Sequence, residues 1–207
     1  MASPLGILEF QKAIRGGVRP NLFKVEHAWP AADTGLSTPV ISGATASGAE
    51  VTYMCKSAAL PATNVGTVEL PFRGRVIKVP GDRTYETWTG TFYMDDAFAL
   101  RSAYEKWIEL TNAVDKNTAS TDIVDIFEDI KITQLDKFGG QGKADGKLKE
   151  LRVYKLVAAF PVSVSQVSLA YDNNDSYEEF DVEFAYQYHT SEGGDGGNAT
   201  VDSPGTA

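Results

Sequence analysis

The chain has 207 residues, is 43% hydrophobic and carries a formal net charge of −9 at pH 7, which fits one domain with a real core and no clustered basic surface of the kind that holds a nucleic-acid backbone. A single cysteine, Cys55, excludes an intrachain disulfide framework. No apolar run approaches the ~20 residues of a membrane helix, and Met1 to Phe10 has neither the basic head nor the apolar core of a secretory signal, so no membrane insertion is expected.

Met1 to Gly17 reads as a short helix through Leu8, Phe10 and Ile14, with Lys12 and Arg15 outside and Gly16-Gly17 stopping it. In Asn21 to Trp29, Phe23, Val25, His27 and Trp29 alternate with Leu22, Lys24, Glu26 and Ala28, the pattern of a first strand. Pro30 to Gly48 is mostly Ala, Ser, Thr, Gly and Pro, too poor in large side chains to bury, and predicts a surface insertion over about residues 30–49. Val51, Tyr53 and Cys55 alternate with Thr52, Met54 and Lys56 as a second strand. Around Pro71-Phe-Arg-Gly-Arg75 two strand-like arms, 65–70 and 75–79, predict a protruding hairpin with Phe72, Arg73 and Arg75 at its tip. An aromatic ring beside arginines is enriched at protein interfaces; a solvated turn whose Phe72 folds back is the competing reading.

Pro80-Gly81-Asp82 is turn chemistry and predicts a chain reversal. From Thr84 to Met94 the residues alternate again, apolar on one face from Trp88 onward and hydroxyl-rich on the other. Asp95 and Asp96 offer N-cap oxygens to a helix that places Leu100, Ala103, Tyr104, Trp107 and Leu110 on one side. After a polar loop at 112–120, Ile123 to Leu135 and Leu148 to Phe160 form a long strand pair around the glycine-rich turn Phe138 to Gly146. Pro161 interrupts pairing, Val162 to Leu169 is a further extended piece, and Tyr171 to Ser176 is a dense turn signal. Phe180, Val182, Phe184, Tyr186 and Tyr188 then alternate without a miss, and the Gly-rich stretch 190–207 reads as a flexible tail. About eight strands and one good helix, without β-α alternation, imply a mainly β fold: an antiparallel β-sandwich or barrel with one flanking α-helix, one domain over 1–189.

No catalytic, cofactor or metal constellation emerges. The glycines of 139–147 lack the spacing and the following Ser or Thr of a phosphate loop. His27 and His189 with one cysteine are too few for zinc, and Cys55 suits a small buried hydrophobe better than a nucleophile. Asp95-Asp96 and Glu178-Glu179 are carboxylate pairs of the kind glycosidases use, but a helix cap and a solvated strand edge explain them. A small carbohydrate-binding β-sandwich is the remote alternative on these grounds.

Four segments in order, Arg19-Pro-Asn-Leu-Phe-Lys-Val-Glu26, Cys55-Lys-Ser-Ala-Ala-Leu-Pro61, Val79-Pro-Gly-Asp-Arg-Thr-Tyr-Glu-Thr-Trp88 and Tyr171-Asp-Asn-Asn174 to Phe184, closely resemble the tail tube proteins of contractile-tailed, myovirus-type bacteriophages. The likeness covers approximately 19–30 and 50–189. The insertion at 30–48 and the tail after His189 look longer than in compact members. The resemblance implies a structural virion protein without catalysis or cofactor, made in the host cytoplasm. It implies hexameric rings stacked into a hollow tube for genome delivery, with a tail sheath protein around it, baseplate and tail terminator proteins at its ends and a tape measure protein in the lumen. DNA passes through without specific binding. A tube subunit of a phage-derived injection or secretion system or a bacteriocin is the alternative. Within this scheme Phe72, Arg73 and Arg75 are expected at the ring-ring interface, and Glu69, Glu179, Asp181 and Glu183 are expected to face the lumen, where acidic groups repel phosphates.

Overall fold

The computed structural model describes residues 6–14, 17–30, 40, 41, 44, 45, 49–116, 118, 123–137, 148–172, 174 and 176–193. In chain order its elements are α1 (Ile7–Ile14), β1 (Phe23–His27), β2 (Val40–Ile41), β3 (Ala44–Thr45), α2 (Ala49–Met54), β4 (Cys55–Ala58), β5 (Asn64–Phe72), β6 (Arg75–Thr84), β7 (Trp88–Tyr93), α3 (Ala99–Thr111), a 3₁₀ turn (Ile123–Ile126), β8 (Glu128–Leu135), β9 (Glu150–Val164), β10 (Glu179–Ala185) and β11 (Tyr188–Gly193). Every strand pairing among them is antiparallel. The expected mainly β architecture with a helix packed on it is what forms.

The core follows from two strands that alternate cleanly. In β7 Trp88, Gly90 and Phe92 point inward, and in β10 Phe180, Val182 and Phe184 do the same. The register sets Phe180 beside Phe92, Val182 beside Gly90 and Phe184 beside Trp88. Gly90 is the spacer: a Cβ there would stand 3.0 Å from Trp88 and 3.1 Å from Phe92. Helix α3 closes this surface with Leu100, Ala103, Tyr104, Trp107 and Leu110, the stripe its 3.6-residue period predicts. Tyr104 meets the rings of Phe92, Phe180 and Phe184, and Trp107 Nε1 donates to the Ile126 carbonyl at 2.9 Å. Fully burying side chains of this size contributes about 1.5–3 kcal/mol each. The N-cap position of α3 is Phe98 (φ 53), whose side chain makes no cap hydrogen bond, so neither aspartate occupies the expected N-cap; Asp95 instead accepts from the amides of Ala99 (3.1 Å) and Leu100 (3.4 Å) from three residues upstream of it.

β9 runs for 15 residues and belongs to two sheets. Its first part lies between β8 and β11, and its last part pairs with β10, which continues to β7 and β4. The bend falls at Ala158, whose φ is +52 and whose amide donates to Asp129 Oδ1 at 3.1 Å.

Several expectations are corrected. Val51 to Met54 is helical: Val51 is buried while Tyr53 is 82% exposed, and Thr52 Oγ1 donates to the Val25 carbonyl of β1 at 2.7 Å. Pro80-Gly81-Asp82 does not reverse the chain. It lies inside β6, where the register shifts between Val65 and Thr67, and a Cβ on Gly81 would stand 3.2 Å from the Gly66 carbonyl oxygen; a bulge tolerates both proline and close backbone approach. Pro161 does not end β9, because it sits opposite Phe184 at another register shift. Ile123–Ile126 is a 3₁₀ turn ahead of β8 rather than strand. β11 carries strand structure to Gly193, beyond the expected start of the tail. The glycine-rich turn 138–147, most of the 30–48 insertion and residues 194–207 lie outside the described residues.

Candidate assembly surfaces

β5 and β6 form a two-stranded ribbon that, among the described residues, pairs with no other strand. Arg73 (φ 46) and Gly74 (φ 79) make its tip, both in the left-handed region that a two-residue hairpin loop of the primed kind requires. The register places Val68 opposite Val79, Leu70 opposite Ile77 and Phe72 opposite Arg75. Directly paired residues share a face, so five large apolar side chains form one surface of the ribbon with Arg75 at its end. The other surface carries Thr67, Pro71, Val76 and the pair Glu69 and Lys78, 3.7 Å apart. Apart from the half-buried Gly81, every residue of both strands is exposed, Leu70 and Ile77 at 50% and Phe72 at 58%. The ribbon therefore stands clear of the core, and Phe72 does not fold back. The Arg73 guanidinium lies 5.4 Å over the Phe72 ring.

A lone two-stranded ribbon is marginal in water, and this one is held at its root. Asn64 Nδ2 donates to Glu86 at 2.6 Å, Thr63 Oγ1 and His189 Nε2 are 3.1 Å apart, and Tyr85 packs against Tyr186 and His189. Burial and then the Arg83 charge hold the His189 pKa below its ordinary value. Nothing local in the sequence signals this root, because His189 joins it from 126 residues away.

The outward face of β10 carries Glu179, Asp181 and Glu183 opposite Tyr93, Thr91 and Thr89 of β7. The three carboxylates do share one face, but they differ in state. Lys56 of β4 reaches both oxygens of Glu179 at 2.6 Å, and this hydrogen bond is the main reason the lysine pKa is raised. Glu183 accepts from Thr87 Oγ1 and, at 3.2 Å, from Ser163. Asp181 makes no ion pair among the described residues. Glu69 is not part of this group, since it lies on the exposed ribbon.

The remaining candidates are structural. His27 is buried in β1, with Nδ1 donating to the Ala28 carbonyl and Nε2 accepting from the Tyr104 hydroxyl, both at 2.8 Å; burial lowers its pKa to about 4. Burial likewise pushes the Cys55 thiol up to about 12, which leaves little nucleophilic thiolate.

Comparison with known proteins agrees with this architecture. A family model described as phage tail tube protein matches residues 18–192. The tail tube protein of Enterobacteria phage T4 is 26% identical over 170 residues, 82% of this chain and 89% of that protein. Two solved structures share the fold. One is a chain in the six-fold symmetrised baseplate of the anti-feeding prophage, with a TM-score of 0.55 and 11% identity over 93% of this chain and 98% of that one. The other is a chain in the extended sheath-tube complex of an extracellular contractile injection system, with a TM-score of 0.53 and 16% identity over 89% and 97%. The match spans β1 to β11 and so takes in the exposed ribbon and the acidic strand face alike: this chain belongs to the phage tail tube protein family.

Proposed function

We propose that this chain is the structural subunit of a contractile phage tail tube, closing into hexameric rings that stack into a hollow cylinder for genome delivery. The observation that carries the proposal is the ribbon of β5 and β6, which presents Val68, Leu70, Phe72, Ile77 and Val79 to solvent with nothing among the described residues to cover them. A contiguous apolar surface of this kind on a soluble chain marks a contact with another protein. Identical copies joined head to tail give rings where the rotation closes and open filaments where it does not. Phe72, Arg73 and Arg75 contact the neighbouring ring. The outward face of β10 lines the bore, with Asp181 and Glu183 supplying the repulsion of phosphate, Lys56 offsetting Glu179, and Glu69 as a further contributor from the ribbon. The sheath surrounds the tube, baseplate and terminator proteins bound its ends, and the tape measure protein and then DNA occupy the lumen; the subunit is a virion component assembled in the host cytoplasm.

A tube subunit of a phage-derived injection machine is the second reading, supported by the fold shared with the anti-feeding prophage and the extracellular injection system. The two separate on whether the native particle carries DNA. Electron microscopy of the purified protein across a concentration series tests both: rings or cylinders with six-fold end views are expected, and Phe72→Ala/Arg73→Ala is expected to leave folded subunits that do not stack. Long cylinders from that double variant would remove the tip from the interface. Dispersed subunits at every concentration, even with tail baseplates added, would refute the tube reading.

A further inference from the structure

The tip of the ribbon has a complement at the opposite end of the same molecule. Along β10 (Glu179–Ala185), Glu179 is paired with Tyr93 and Phe184 with Trp88. The ribbon is rooted at the Trp88 end through Tyr85, Tyr186 and His189. At the Tyr93 end, where the Glu178 carbonyl accepts from the Met94 amide at 2.9 Å, residues 166–171 and 176–179 enclose a cleft of about 680 Å³. Val167, Leu169, Tyr171 and Tyr177 give it an apolar and aromatic wall, and Leu169 and Tyr177 are 78% and 85% exposed. Glu178 stands on its edge and makes no ion pair among the described residues; neither do Arg73 or Arg75.

Resting on the tube assembly proposed above, we infer that Phe72, Arg73 and Arg75 of one copy seat in the cleft of residues 166–171 and 176–179 of a neighbouring copy, with an arginine facing Glu178. The seven residues of β10 place about 23 Å of strand between ribbon root and cleft. The full exposure of the ribbon keeps it from lying back along its own sheet, so tip and cleft meet only between copies. Such a contact is heterologous and repeats without closing, the geometry a growing cylinder needs. A rigid aromatic anchor flanked by arginine is the side-chain pair that dominates interface centres, and opposite unpaired charges set the register of docking.

The test places p-benzoylphenylalanine at position 72, which keeps the ring, and mixes this chain with an isotopically heavy wild-type chain. Cylinders assembled from the mixture are irradiated and the adduct mapped by peptide mass spectrometry. The expected adduct joins light residue 72 to heavy residues 166–179, and cylinders whose adducts map elsewhere overturn the inference. If the labelled chain does not assemble, charge reversal decides. Glu178→Arg should reduce the pelleted cylinder fraction by about tenfold, the size of a lost interfacial charge pair, and combining it with Arg73→Glu or with Arg75→Glu should restore it in one of the two. A Glu178→Arg variant that assembles like wild type, or that neither combination rescues, overturns the cleft and leaves the tube reading intact. Failure of the wild-type chain to assemble, even with tail baseplates added, sinks the tube reading itself.

Discussion

Replacing His27 with glutamine should remove a specific part of the acid sensitivity of this fold. In the wild-type chain the imidazole is buried between Tyr104 and Ala28 as a neutral ring, with a folded-state pKa of about 4 against 6.5 for the unconstrained side chain. Between those values the unfolded chain binds a proton that the folded chain does not. Stability is therefore complete above 6.5, falls as pH drops through the window, and the loss is complete below about 4. From pH 7 to pH 5 the difference comes to about 2 kcal/mol for this one group. With a urea slope of about 2 kcal/mol per molar, the unfolding midpoint should move down by about 1 M. Urea titrations of dilute, unassembled protein followed by tryptophan fluorescence read this directly. The carboxylates titrate in both chains and cancel in the comparison, while any packing cost of the glutamine is the same at both pH values. Equal losses in wild type and His27→Gln between pH 7 and pH 5 would refute the buried, neutral assignment.

Tyr104→Phe leaves His27 Nε2 buried without its donor and should cost about 1–3 kcal/mol at pH 7; an unchanged denaturation midpoint would dispose of that hydrogen bond. Gly90→Ala puts a methyl 3.0 Å from Trp88 and should destabilise by about 1–3 kcal/mol, read as a lower Tm, whereas an unaltered Tm would mean the rings give way freely. Leu70→Ser/Ile77→Ser alters only exposed ribbon surface, so unfolding should stay within about 0.5 kcal/mol per site while cylinders disappear in electron micrographs. A large drop in unfolding midpoint for that pair would mean the ribbon packs on the core.

Where one period ran long enough, sequence and structure coincide. The stripe from Leu100 to Leu110, the alternation of Trp88, Gly90 and Phe92, and that of Phe180, Val182 and Phe184 all lie on the faces their spacing implies. Val51, Tyr53 and Cys55 misled because three alternating positions fit one helical turn as well, and contact with β1 decided the outcome. Pro80-Gly81 read as a chain reversal because proline and glycine are turn chemistry, and Pro161 as a break because proline lacks the amide donor of a regular ladder, but a bulge or register shift accommodates both. The ribbon itself was legible from Pro71 to Arg75. Its apolar face was not, since that depends on a register fixed by the turn at Arg73 and Gly74. Alternation put Glu179, Asp181 and Glu183 together, but the lysine that offsets the first comes from a strand 123 residues earlier.

The sharing of β9 between two sheets has a dynamic consequence. Its amides serve β8 or β11 along the first part and β10 along the second, so neither sheet can open without disturbing a strand common to both. The two sheets thus form one cooperative opening unit, whose amides should exchange with solvent deuterium only at the rate of global unfolding. Ribbon amides, paired among the described residues only between β5 and β6, should exchange through local fraying orders of magnitude sooner in the free subunit. When the ribbon is clamped by a neighbour its exchange slows toward that of the core, so a single deuterium-uptake curve can time the conversion of free subunits into polymer.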